Sequence, residues 1–388
     1  MSARSTVLLL AGALIGAAAL AQPQGVIRDE VLLGSIVDLS GPVAAYGRDV
    51  RDGLLMAVNE INARGGIHGR KLRLLVEDNG YDPKRSVLAA QKLANQDKVF
   101  GVVGTFGTPH ALAAMQVLLP REVFSLFPMA LSRDMVEPVH KLKFALLPAS
   151  FDQISAVVPG LYRERKASKA CALYQDDDYG HEVVQGAEAG LKAVGAALAE
   201  RTSYKRGATD FSSQVARLKA ANCDFVVLGT VIRETVGAIS EARKLGYAPT
   251  FVVASTAYSE LIPRLGGKDM DGLYAVNTAV HPYLDDPSPA VAEWAKRYQA
   301  QFHSAPTVFG VYGYTKMQLI ARALERAGPQ LTVDGCSQAM EGVDVPGDIF
   351  GNPPMRFSAT QHLGSSRSRL SQLQNGRWKV VLDYDQFR

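Results

Sequence analysis

The chain has 388 residues, 47% of them hydrophobic and 21% charged, with a formal net charge of +4. The basic residues are scattered along it rather than striped, which excludes the electrostatic footprint of a nucleic-acid binder. Three cysteines in so long a chain exclude a disulfide-framework fold: one pair is possible, and one thiol is left over.

The first stretch, "MSARSTVLLLAGALIGAAALA", holds one arginine, an apolar run from Val7 to Leu20 and a small-residue end, Ala19-Leu20-Ala21. This is the pattern of a secretory signal, with cleavage expected near Ala21-Gln22 and export to the periplasm. No later segment offers about 20 unbroken apolar residues, so a soluble mature chain is expected. What remains exceeds the size at which a single core stops growing, which predicts two domains.

Strand and helix patterns then alternate: "VLLGSIVDL", a helix from Gly53 to Ala63, "KLRLLVED", the helix "PKRSVLAAQKLANQ", "VFGVVG", the helix "PHALAAMQVLL" and "VFSLFP". Gly65, Gly66 and Gly69, beside three basic side chains, raise the question of a phosphate cradle. Such a cradle needs a strand before the glycines and a helix after them. Here Leu54, Leu55, Val58, Ile61 and Asn62 mark a helix upstream and the strand follows, so the glycines are read as a left-handed helix end. The rhythm restarts with "KACALYQ", a helix from His181 to Val194, "ALAERTSY", "FSSQVARLKAA", "CDFVVLG", "ETVGAISEARKLG" and "TFVVAS". "KFALLPASFDQISAV" and "GLYAVNTAVHPYL" read as crossing segments, with longer helical patterns around Trp294 and Met317 after the second. "RLSQLQNGRWKVVLDY" reads as a hairpin turned at Asn375-Gly376. Two α/β units with doubly wound parallel sheets are expected, with any ligand at the carboxyl ends of the strands.

Chemistry-bearing motifs are sparse. There is no "GxSxG", no "HExxH" and no cysteine paired with a histidine, so no enzyme, catalytic residue or cofactor is expected. Asp176, Asp177 and Asp178 precede a helix start and lack the rest of a calcium loop, so no metal is expected either. His110 and His181 read as rim residues. Cys171 and Cys223, at the edges of apolar strands, read as buried and structural.

"LSGPVAAYG", "GLLMAVNEINARGGIHGRKLRLLVEDNGYDP", "ATDFSSQVARLKAANCDFVVLG" and "ARKLGY" together resemble the leucine/isoleucine/valine-binding protein family, the type I periplasmic solute receptors of ABC importers. The likeness runs in order from about Val31 to Tyr384. It implies a monomer of two lobes joined by a three-stranded hinge, closing on a small solute and delivering it to a permease with its ATPase. Lobe I would hold residues 27–147 and 278–352, and lobe II residues 148–277 and 353–388. Carried over by position, the first-lobe pocket falls on Tyr46, on Thr105, Phe106 and Thr108, and on Met129, Ala130 and Leu131. The second-lobe wall falls on Tyr179. Thr108 also suits an N-cap, with Pro109 at the first helical position and the N–H groups of His110 and Ala111 free for an anion.

In the amino-acid binders of that family, a threonine and an acid hold the ammonium group. The matching places here are Leu131 and Ser255 or Thr256, which puts a standard amino acid in doubt. Arg233, next to Ile232 in or beside a helix's first turn, is disfavoured there by the helix dipole and is a candidate for holding a carboxylate. The expected ligand is a small carboxylate-bearing solute, amino-acid-like or an aromatic or branched organic acid. Branched-chain amino-acid binding proper, or the ligand module of a sensory or chemotaxis system, stand as alternatives.

Overall fold

The computed structural model describes residues 22–384. The expected signal segment lies outside the described residues. Among the described residues, no helix is long and apolar enough to cross a membrane.

The first half runs β1 (Glu30–Val37), α1 (Ala44–Ala63), β2 (Lys71–Asp78), α2 (Pro83–Gln91), β3 (Gly101–Val103), α3 (Thr108–Leu118), β4 (Phe124–Leu126) and β5 (Lys143–Phe144). These strands form one parallel sheet in the order β2-β1-β3-β4-β5. The second half runs α4 (Ser150–Glu164), β6 (Ala170–Gln175), α5 (Asp178–Lys192), β7 (Leu198–Tyr204), α6 (Ser212–Ala220), β8 (Phe225–Gly229), α7 (Ile232–Lys244), β9 (Thr250–Val253), α8 (Leu261–Gly266) and β10 (Tyr274–Asn277). The chain then returns through α9 (Pro289–Phe302), α10 (Val308–Ala327) and α11 (Val333–Glu341), followed by the short strands β11 (Asp344–Val345) and β12 (Met355–Arg356) and the hairpin β13 (Arg369–Gln374) and β14 (Arg377–Leu382). The hairpin extends the second sheet antiparallel, giving β14-β13-β10-β9-β8-β6-β7.

Buried positions explain the parallel sheets: β3, β4 and β8 are buried along their whole length, as strands covered by helices on both faces must be. Gly65 and Gly66 end a helix. Their φ angles are 105° and 76°. The Gly66 N–H donates to the Ile61 carbonyl (3.0 Å) and the Gly65 N–H to that of Asn62 (3.1 Å), the paired bonds of a Schellman motif. That turn hands the chain to β2.

Helix α10 packs on α1 at backbone distance. A Cβ on Gly53 would lie 2.0 Å from the Gly310 carbonyl oxygen, and one on Gly313 would lie 2.3 Å from that of Val50. These glycines are therefore what lets the returning helices close onto the first sheet. Two readings change. Helix α1 starts at Ala44, nine residues before Gly53, and the crossing segment "KFALLPASFDQISAV" contains the start of α4. Its buried residues Ile154, Val157, Val158 and Leu161 are spaced as one helical face.

The chain passes between the sheets after β5, after β10 and before β13. Residues just past 352 still pack on the first sheet: Phe357 sits 5.7 Å from Phe127 and 6.1 Å from Phe144, and Ala145 bridges Leu363. We propose that the last lobe boundary follows residue 364 rather than 352.

Candidate functional site

The carboxyl ends of β1, β3 and β4 face those of β6, β8 and β9, and a cavity of about 30 Å³ lies between them. That is room for roughly two waters, so a solute enters only if the lobes part or the walls move. Six rings surround it: Tyr46, Tyr81, Phe106 and Phe309 with Tyr312 from the first lobe, and Tyr179 from the second. Tyr46 stacks on Phe309 at 4.0 Å and on Phe106 at 5.8 Å. Aliphatic Met129, Leu131, Leu147 and Val231 complete the walls, and the polar contribution comes from Thr108, Ser255 and Thr256. Among the described residues, no acidic side chain lines the cavity.

Contacts across the cleft hold the lobes together. The Tyr46 hydroxyl donates to the Thr256 carbonyl (2.7 Å). The Tyr179 hydroxyl donates to the Thr230 carbonyl (3.1 Å) and shares a 2.6 Å bond with the Thr256 hydroxyl, which fixes the wall that Tyr46 reaches. Arg206, paired with Asp177 at 3.2 Å, lies 5.4 Å above the Tyr81 ring. At the far rim, Glu182 accepts from the Ser132 hydroxyl (3.2 Å) and the Arg133 N–H (3.4 Å). Burial pushes the Tyr46, Tyr81 and Tyr179 phenols above their ordinary range, so all three stay neutral hydrogen-bonding groups.

The loop from β3 into α3 frames one end of the cavity. Gly107, at φ 96°, is the N-cap of α3, and a Cβ there would lie 2.3 Å from His110 Nδ1. Only glycine fits. The expected cap at Thr108 is thus one residue late. Thr108 is the first helical residue, and its hydroxyl accepts from the Leu131 N–H (3.2 Å) instead. The Ala111 N–H is also taken, by the Gly107 carbonyl (2.9 Å). The N–H groups of Thr108 and His110 have no acceptor among the described residues, so the helix start still offers two donors to an anion. His110 is no rim residue: it is fully buried, stacked 4.4 Å from Tyr81, and desolvation lowers its pKa to about 4.

Of the residues singled out in the sequence, Tyr46, Phe106, Thr108, Met129, Leu131, Tyr179, Ser255 and Thr256 meet at the cavity. Thr105 does not, because its role is backbone: its carbonyl accepts from the Met129 N–H (2.9 Å). Ala130 turns away into a small cluster with Ala111, Met115 and Met135. Ile232 and Arg233 line a separate outer groove with Arg48 and Leu265. Arg233 is exposed there, whereas its neighbour Glu234 is buried. Successive helical side chains point about 100° apart, and in α7 it is the acid that turns inward. Tyr81, Leu147, Val231, Phe309 and Tyr312 were missed. Phe309 and Tyr312 sit on α10, more than 160 residues from the other first-lobe walls, and only the α1–α10 packing brings them in.

Asp176 and Asp177 have structural partners, and Asp178 is exposed in the first turn of α5. Asp177 caps α5, accepting from the Gly180 N–H (3.3 Å), and Asp176 pairs Lys205 at 2.5 Å. Among the described residues, no group of three or more potential ligands is placed to hold a metal. Cys171 and Cys223 form a disulfide, and Cys336 is free and buried.

A family model described as "Periplasmic binding protein" matches residues 30–377. Leu/Ile/Val-binding protein homolog 7 of Brucella abortus is 27% identical over 329 residues, covering 81% of this chain and 82% of the relative. Homolog 8 of Brucella suis is 25% identical over 350 residues, covering 87% and 86%. Among solved structures, a fatty acid ABC transporter substrate-binding protein from Thermomonospora curvata superposes with a TM-score of 0.84 at 22% identity, covering 94% of each chain. The branched-chain amino acid transporter substrate binding protein LivJ of Streptococcus pneumoniae, in complex with isoleucine, gives 0.78 at 21% identity, covering 92% of this chain and 100% of that one. At such identities the structural matches speak for the fold alone.

Proposed function

The chain belongs to the periplasmic binding protein family, a family of substrate-binding proteins and not of enzymes, and on that premise we propose that it captures a small carboxylate-bearing solute with an apolar body and delivers it to the permease of an ABC importer. The observation that carries the reading is the cavity lining: six aromatic rings and no acid, closed at one end by the start of α3. A carboxylate at that end meets the unpaired N–H groups of Thr108 and His110 and the positive end of the helix dipole. An ammonium group would find hydroxyls, such as those of Ser255 and Thr256, but no carboxylate on the wall. Buried without a counter-charge, such a group is disfavoured.

A thermal-shift series on the mature protein tests this, because a bound solute raises apparent stability with its affinity. Isocaproate and phenylpropionate are expected to raise the melting temperature more than leucine, isoleucine or valine does. A larger shift with leucine than with isocaproate would overturn the reading.

One observation favours the amino-acid alternative. Glu234 is buried in the first turn of α7, its Oε2 has no partner among the described residues, and its charge acts on Tyr46, Tyr81 and Tyr179. Burial pushes its carboxyl upward, toward the protonated form. Leucine binding that disappears in Glu234→Gln would establish that alternative.

A further inference from the structure

Lys316 lies in the middle of α10 with none of its surface exposed. Among the described residues it has no carboxylate partner. Its Nζ donates to the Pro128 carbonyl (3.3 Å) and sits 2.6 Å from the Met129 sulfur. An ammonium group has three donors, and a thioether is a weak acceptor, so the two neighbours leave a protonated Lys316 short of partners. Buried unpaired lysines are rare because the charge is expensive to desolvate.

The position gives this lysine a use. Met129 and Tyr312 both line the cavity, and Tyr312 is one turn before Lys316 on the same face of α10. Met129 is also tied to the loop that opens α3: its carbonyl accepts from the Gly107 N–H (2.9 Å), and Phe106 and Met129 form a bridge. The amine is therefore one side chain behind the cavity wall, next to the end where the α3 N–H groups converge. The side chain in between is a methionine, which is unbranched and repacks readily.

We propose that Lys316 is a specificity-determining residue of the cavity, an inner cation that selects an acidic solute from behind Met129. With the cavity empty, the amine has no counter-charge. A carboxylate placed at the α3 end supplies one, so the bound pair stabilises both charges in a site closed to water. A neutral solute of the same shape brings no such compensation. The inference rests on the carboxylate reading of the cavity.

The test compares isocaproate with its primary amide, isocaproamide, and phenylpropionate with its amide, by calorimetric titration of wild type, Lys316→Met and Lys316→Gln. Wild type is expected to favour each acid over its amide by about tenfold or more, and both variants to bring that ratio toward unity by losing acid affinity while keeping the amide's. A lysine that only packs the core would change both affinities together and leave the ratio alone. If either folded variant keeps the wild-type ratio, the role of Lys316 is refuted while the carboxylate reading stands. If wild type does not distinguish acid from amide, or binds neither acid, the two readings fail together.

Discussion

The Tyr46 hydroxyl gives the cleanest measure of lobe closure, because its bond to the Thr256 carbonyl (2.7 Å) joins residues 210 apart in sequence and on opposite sides of the cleft. Tyr46→Phe removes that one donor. The ring remains, so the 4.0 Å stack on Phe309 and the burial of the side chain against its own lobe are kept. In an open form both groups meet water and lose nothing, whereas in the closed form the Thr256 carbonyl loses its donor. An intramolecular hydrogen bond contributes about 0.5–1.5 kcal/mol net, so the solute's Kd should rise by roughly two- to tenfold. The unliganded melting temperature should stay within experimental error. Calorimetric titration with isocaproate, beside melts with and without it, reads both quantities. Tyr46→Ala would not serve: deleting a core aromatic ring costs about 3–5 kcal/mol and confounds folding with binding. An unchanged Kd in Tyr46→Phe, or a loss of unliganded stability as large as the loss of binding energy, would refute the idea that this bond reports closure.

Three further outcomes are expected. The radius of gyration should fall when the mature protein is saturated with a stabilising solute, since a 30 Å³ cavity admits none without opening; an unchanged scattering curve argues against a hinge. Lys316→Met should be more stable than wild type at neutral pH, because desolvation holds the Lys316 pKa well below its ordinary 10.5. The unfolded chain then binds more protons than the folded one between those two values, so wild-type stability should climb with pH in that window and the gap to the variant should close as pH approaches 10.5; a gap independent of pH in urea titrations counts against a buried amine. Cys171→Ser should lower the stability measured in denaturant by about 4 kcal/mol, the loop-closure value for a 52-residue separation, with no such loss in a wild-type protein already reduced.

The fold was legible because its signals are local. Apolar runs such as "VFGVVG" and "CDFVVLG" sit between helical patterns, and the Gly65-Gly66 turn declares where α1 stops. The cavity was legible only where a strand runs into a loop and helix, as at Phe106, Met129 and Tyr179. Phe309 and Tyr312 could not be found that way: they belong to α10, whose contact with α1 depends on Gly53 meeting the Gly310 backbone, a pairing invisible to periodicity. Arg233 shows the opposite failure. A cation in a helix's first turn breaks a dipole preference, and that was read as a sign of function; exposed to water, the same charge interacts too weakly with the dipole to need an explanation. The costly exceptions are the buried ones, Glu234 one residue later and Lys316 inside α10. Neither stands out in sequence, since an acid near a helix start and a lysine in a helix are both ordinary. Burial alone makes them expensive, and the two lie on opposite lobes, an acid in the second and an amine in the first. The charge of the solute therefore turns on which of them it meets, and substituting each in turn separates an acid-selecting cavity from one that holds an amino acid.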